Sequence, residues 1–466
     1  MQPAFWKTTF IYGLGFLGLR MISFLLLPLY THLLSPSDTG VVFIVYTVLA
    51  FLNTVYSRGM DSALIKFYDN SKQPSIISTS ILYSIKHAGV LCALLLMIIW
   101  VCSLWGLINL SVFSNIIILG LLLVLFFDML SSRCMTVLRL QERPFYYLFA
   151  SFTSVVSNLL LNIYLIKYLN MGLQGALWAI IVASIIQIII FSPLIIFNVR
   201  FNVFDSELLI KMKGFSLPFL PAAIFLILIE LSDRWMIGLM SGGGTADVGL
   251  YGTGYKFGSV IMLCVRAFNL NWQPYYLKHN TQTTFYKVGS LFLSILIILS
   301  TLIAIIWPVF FAIFIGEAYW EGGAIIPIVA ISYIFYGLFI LQMPSLYLKD
   351  KERWAPVFLG AGFIVNIISN CFLIPLYGYY GAAVATLFAY FVMALFLVYK
   401  NYTWMPMAYS AAHLGLIALL SVVGYGYIYY LRIAVETPIN IATYMMVLSL
   451  YLISTFPILF SMQKKL

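Results

Sequence analysis

Within the apolar stretch from Pro221 to Met240 the chain places Glu230, Asp233 and Arg234. Lys256 follows in the next apolar segment, and Arg20 sits in the first. An ionisable side chain at membrane depth costs about 3 kcal/mol on insertion scales, so such groups face a wet cavity or one another. Cations there suit an anionic phosphate, and the planar fork of arginine can give it two hydrogen bonds. Acids there suit charge balance or a coupling ion, H+ or Na+. Glu230 and Arg234 are four apart, on one helix face, which favours an ion pair between them. Arg20 has no acidic residue in its own segment, so its charge is free for a ligand. The substrate-binding candidates are therefore Arg20, Arg234 and Lys256. Glu230 and Asp233 are the candidates for coupling or charge balance. A structural ion pair is the competing reading for both sets.

The elements that position these groups are membrane spans. Of 466 residues, 63% are hydrophobic and 9% charged, against about 25% charged in soluble domains. The mean hydropathy is +1.02. Fourteen apolar stretches are long enough to cross a bilayer: 10–34, 41–57, 83–106, 112–130, 145–167, 173–197, 214–240, 248–268, 286–312, 325–348, 355–376, 379–399, 409–430 and 438–460. The expected class is an all-α polytopic membrane protein. Placing the N-terminus in the cytoplasm puts 20 of the 25 Lys and Arg residues on inner loops and helix ends, and two outside. That asymmetry predicts both termini in the cytoplasm. It also explains the net charge of +10 without a nucleic-acid partner.

The chain repeats itself. Asn158 and Asn162, followed by Gly175-Ala176, return as Asn366 and Asn370, followed by Gly381-Ala382. Asp38-Thr39-Gly40 returns as Asp247-Val248-Gly249, and Arg58 as Arg266, all at an offset of 208 or 209. Each repeat holds six spans, an even number, so the halves share orientation about an axis along the membrane normal. The predicted domains are 1–200 and 201–400, two six-helix lobes, with 401–466 adding two helices. Arg58 and Arg266 then end equivalent helices at the cytoplasmic face. Asp61 and Asp128 lie near such ends, and the four are read as a cytoplasmic gate, against simple topogenic charge. Each asparagine pair lies on one helix face, for a cavity wall or for interhelical hydrogen bonds.

No catalytic constellation or metal-ligand cluster stands out. The chain has no Gly-x4-Gly-Lys phosphate loop, no Gly-x-Ser-x-Gly and no His-Glu-x2-His. Its five cysteines are scattered through apolar segments without metal or disulfide spacing. These absences argue against an enzyme and against a resident cofactor or metal.

Four stretches resemble the polysaccharide transporter branch of the MOP (multidrug, oligosaccharidyl-lipid, polysaccharide) exporter superfamily, the O-antigen and capsule repeat-unit flippases. They are Leu27-Pro28-Leu29-Tyr30-Thr31 through Asp38-Thr39-Gly40, Ser232 to Gly238, Asp247 to Tyr251, and Asn366-x3-Asn370 to Gly381-Ala-Ala-Val-Ala-Thr386. The resemblance implies two six-helix lobes and alternating access in a bacterial cytoplasmic membrane. It implies transfer of an undecaprenyl-diphosphate-linked oligosaccharide from the cytoplasmic to the periplasmic leaflet. Its implied partners are that substrate, membrane lipids, a polysaccharide polymerase and a chain-length regulator. Three rivals stay open: a lipid II flippase, a cation-coupled multidrug exporter, and, from another class, an O-antigen polymerase or ligase. The exporter prefers an acidic cavity, whereas here three intramembrane cations outnumber two acids. The enzymes carry a large outer loop, and the outer loops here are short connectors.

Overall fold

A computed structural model describes residues 24–68, 73–105, 114–217, 220–278, 281–434 and 441–464. Every regular element among them is helical. That follows from the apolar runs: hydrocarbon cannot hydrogen-bond the backbone, and a helix satisfies each amide within its own segment.

In chain order the helices are α1 (Phe24–Leu33), α2 (Pro36–Ser57), α3 (Met60–Phe67), α4 (Gln73–Leu104), α5 (Asn115–Leu140) and α6 (Pro144–Asn162). A π-helical turn, Ile163–Tyr168, leads to α7 (Gly172–Asn198) and α8 (Ser206–Ser216). Then come α9 (Leu220–Met240), α10 (Thr245–Gly258), α11 (Val260–Lys278), α12 (Gln282–Phe314), α13 (Ile326–Gln342) and α14 (Pro344–Leu348). The last three are α15 (Ala355–Trp404), α16 (Ala411–Ala434) and α17 (Ile441–Lys464). Ten helices among the described residues are long and apolar enough to cross a membrane, or twelve when two bent pairs each count as one span. The pairs are α8 with α9, and α10 with the start of α11, which bends by 44°. The chain is a multi-pass membrane protein.

α15 counts once in that total, although its 50 residues would rise about 75 Å, more than twice the hydrocarbon core. Gly378, at φ 57° and ψ −138°, breaks it between the two spans expected at 355–376 and 379–399. A side chain rarely adopts that conformation, so glycine is what permits the turn.

The chain forms two compact units. The first comprises the described residues up to Leu34 together with Ile44–Ile227; the second comprises Ser35–Phe43 and Leu228–Leu466. In the first unit α3 to α8 share a core around Ile81, Cys134, Val137 and Met212. A second cluster, around Leu49, Tyr56, Val124 and Leu177, joins α2, α5 and α7. In the second unit α16 and α17 lie on α12 through Ile305, Ile428 and Val447, and through Ile298, Ile417 and Tyr451.

The internal repeat is visible in the backbone. A Cβ on Gly175 would meet the carbonyl of Leu165, and one on Gly381 the carbonyl of Leu373. Leu165 and Leu373 are themselves repeat equivalents, so the same close approach is built twice. Inside the second unit a reciprocal contact joins the first turns of α2 and α10. A Cβ on Gly40 would lie 1.8 Å from the Thr245 carbonyl oxygen, and one on Gly249 2.1 Å from that of Pro36. Pro36 and Thr245 are equivalents, as are Gly40 and Gly249, so the contact is two-fold symmetric.

Candidate functional site

The charged stretch of α9 faces α10, α11 and α15 within the second unit. Asp233 is fully buried. Its Oδ1 accepts from the Asn370 amide at 2.7 Å, and its Oδ2 from the hydroxyls of Tyr251 and Thr386, both at 2.6 Å. Asn370 also donates to Asn366 Oδ1 at 3.1 Å, and Ser232 donates to the same oxygen at 3.1 Å. Asn366 and Asn370 are one turn apart, so α15 presents both amides to one point on α9. All the donors are neutral. Among the described residues no cation forms an ion pair with Asp233. A buried carboxylate needs a counter-charge or a proton to offset its desolvation.

Glu230 departs from expectation. Its carboxylate pairs with Arg266 of α11 at 2.5 Å rather than with Arg234. The Arg234 Nη1 instead donates to the Glu230 carbonyl at 3.1 Å, and its guanidinium lies 4.9 Å from the Tyr255 ring. The spacing of four did bring the two residues together, but the shorter reach across to α11 took the carboxylate. Arg234 is thus held by a carbonyl and an aromatic ring, neither of which neutralises it. Lys256, next to Tyr255, lies 4.7 Å from the Phe43 ring. Tyr255 is anchored by a 2.5 Å hydrogen bond between its hydroxyl and that of Tyr333. Arg20, the third expected cation, lies outside the described residues.

In the first unit the gate residues pair differently from the expectation. Asp61 forms a buried ion pair with Arg133 of α5, not with Arg58. Ser132 and Thr136 also donate to Asp61, at 2.9 and 3.0 Å, while Arg133 donates to Ser84 and to the Ser57 carbonyl. Arg58 sits at the α2–α3 break, at φ 46°. Asp128 accepts from Ser184 at 3.0 Å and from Asn53 at 3.3 Å, with no arginine on it among the described residues. Asp128 lies about three turns before the end of α5, and Arg133, nearer that end, reaches Asp61 first. Asn162 accepts from the Tyr30 hydroxyl at 2.8 Å and donates to the Asn158 carbonyl at 2.8 Å.

Among the residues of these networks that escaped the sequence reading are Arg133, Tyr251, Thr386 and Tyr30. Arg133 carried a signal, since it interrupts the apolar run of α5. Tyr30 and Thr386 stood within motifs noted for resemblance alone, and Tyr251 ended another. Their hydroxyls acquire a partner only through helix contacts that the sequence does not display.

Comparison with known proteins agrees with this architecture. A lipid II flippase MurJ in an inward closed conformation superposes with a TM-score of 0.70, at 14% identity, covering 97% of this chain and 99% of that one. An inward-facing multidrug resistance MATE family transporter of the MOP superfamily gives 0.64 at 10% identity, covering 88% and 96%. A mutant of the Vibrio cholerae MATE transporter VcmN gives 0.57 at 16% identity, covering 84% and 94%. At these identities the likeness is one of fold. No curated protein matches by sequence. The model of the family described as "Polysaccharide biosynthesis protein" matches residues 5–279, more than half of the chain. The chain thus belongs to the polysaccharide biosynthesis protein family, built on the transporter fold of the MOP superfamily.

Proposed function

We propose that this protein is a flippase that moves an undecaprenyl-diphosphate-linked oligosaccharide, of the O-antigen or capsule type, from the cytoplasmic to the outer leaflet by alternating access. The observation that carries the reading is the pair of cations in the second unit of a polysaccharide-family transporter fold. Arg234 lies over the Tyr255 ring, and Lys256 is the next residue after Tyr255 on α10. The carbonyl and the ring that hold Arg234 leave its charge in place. A cation at membrane depth is costly, and an anion beside it relieves that cost. A diphosphate supplies that anion. Its charge and its glycan are both too polar to cross hydrocarbon unaided. Arg20 remains the third phosphate-binding candidate.

Asp233 is the coupling site in this proposal. Its cradle of hydroxyl and amide groups fits either a proton or a monovalent cation. The Asn370 Oδ1 is buried beside it without a partner, an oxygen of the kind a hard cation takes. Either ion would cancel the buried charge and so shift the conformational equilibrium of the second unit, as any ligand with unequal affinity for two states does.

Transport of lipid II is the second reading, favoured by the near-complete overlap with MurJ. A drug exporter fits less well, since a cationic drug would be repelled by Arg234 and Lys256. The test is an Arg234→Ala/Lys256→Ala double variant in cells lacking the native copy. At normal abundance it should abolish surface polysaccharide and accumulate lipid-linked repeat units on the inner leaflet. Accumulated peptidoglycan precursor would favour lipid II instead, and full export by the double variant would remove the phosphate site.

A further inference from the structure

Tyr46 of α2 and the facing sides of α5, α6 and α7 line a cavity of about 420 Å³ inside the first unit. The helices around it are apolar, but its wall carries Asp128, Ser131, Asn158, Ser184 and Gln187. Two of these groups, Gln187 and Ser131, make no side-chain hydrogen bond among the described residues. The Ser131 hydroxyl is buried and unpartnered, in a residue 3% exposed. The Asp128 carboxylate receives two neutral hydrogen bonds and leaves its other lone pairs open. Ser131 is buried, where a polar group is nearly always satisfied, and the half-buried Gln187 amide and Asp128 carboxylate line the same space, so the wall offers a guest both donors and acceptors.

The size and the donor set choose among guests. A bare cation needs far less room than the cavity offers. A phosphate or an acidic sugar would be repelled by Asp128, the one acidic group in the wall. A neutral polyol meets every requirement: its hydroxyls donate to the carboxylate and accept from the amide. The volume falls in the ordinary range for small-molecule pockets, about 300–1,000 Å³. Tyr46 and Tyr147 line the same space and supply the aromatic surface that covers the apolar face of a sugar ring.

We infer that this cavity is a saccharide subsite that takes one neutral sugar residue of the lipid-linked glycan, with Asp128 and Gln187 as its specificity-determining groups. The inference rests on the flippase reading and assigns the cavity of the first unit to the glycan.

The test compares farnesyl diphosphate with farnesyl-diphosphate-linked glucose, galactose and N-acetylglucosamine, each titrated onto the full chain in lipid nanodiscs. At least one sugar-bearing probe should bind about tenfold more tightly than farnesyl diphosphate, the gain expected from one or two net hydrogen bonds. Gln187→Ala and Asp128→Asn should each erase most of that gain and leave the affinity for farnesyl diphosphate unchanged. Gln187 holds no other element in place, so its truncation keeps the fold even if Asp128→Asn does not. A sugar gain that survives Gln187→Ala overturns the subsite, as does a wild-type protein that binds the diphosphate and gains nothing from any sugar. A wild-type protein that binds none of the probes overturns the flippase reading and the subsite with it.

Discussion

Asn162 and Asn370 hold equivalent places in the repeat, each four residues after a second asparagine to which it donates, yet they meet the facing helix with opposite ends of the amide. Asn162 uses its oxygen, accepting from the neutral Tyr30 hydroxyl of α1. Asn370 uses its nitrogen, donating to the buried Asp233 carboxylate of α9. An amide can do either, so one duplicated scaffold accommodates a neutral contact in one unit and a charged one in the other. The neutral version is complete in itself. The charged version is not, since Asp233 has only neutral donors among the described residues. The first unit does have an open carboxylate, Asp128, but it comes from a different helix and faces a cavity. The repeat thus copied a frame, and the two units carry these carboxylates on different helices of it.

The contrast breaks most severely at Asp233. Asp233→Ala strands the donors of Tyr251, Thr386 and Asn370 in a buried site, at about 1–3 kcal/mol for each. Membrane abundance and the melting temperature in detergent should both fall steeply. Asp233→Asn keeps the shape and removes the charge. It should retain fold and abundance, and its export should no longer respond to a proton or Na+ gradient. Export that keeps its gradient dependence in Asp233→Asn would put the coupling site elsewhere.

Next in size is the first unit's own buried pair. Arg133→Met leaves a partly exposed Asp61 without its cation, at about 3 kcal/mol, the low end for breaking one side of a buried pair. Thermal unfolding should show a large loss. The double variant Arg133→Met/Asp61→Leu should recover much of it, because the stranded charge is gone. A single variant as stable as wild type would make the pair incidental.

These pairings mark how far the sequence could be read. The spans, the repeat and the intramembrane charges are all legible, because hydropathy and offset are properties of the chain itself. The break at Gly378 falls between two spans read from composition. The partners were not legible. Glu230 sits one turn from Arg234 yet pairs with Arg266, and Asp61 lies three residues from Arg58 yet pairs with Arg133. Helical spacing ranks neighbours on one helix and is silent about a guanidinium arriving from the next. The cavity around Asp128 was hidden for the same reason, since its wall comes from four separate helices.

The smallest effect sharpens the comparison from its neutral side. Tyr30→Phe removes one neutral hydrogen bond to Asn162 and should cost only about 1 kcal/mol. Export and its gradient dependence should persist, in contrast to Asp233→Asn at the equivalent frame. Loss of gradient dependence in Tyr30→Phe would mean that both asparagine pairs take part in coupling.

The most direct measurement follows the substrate itself. Purified protein is reconstituted into vesicles loaded with a fluorescent short-chain polyprenyl-diphosphate oligosaccharide, and the fraction reaching the far leaflet is read by a membrane-impermeant quencher. Wild-type protein should move the lipid well above the protein-free rate, and the Arg234→Ala/Lys256→Ala double variant should fall back to that rate. Wild-type vesicles no faster than protein-free ones, or a double variant as fast as wild type, would contradict the account.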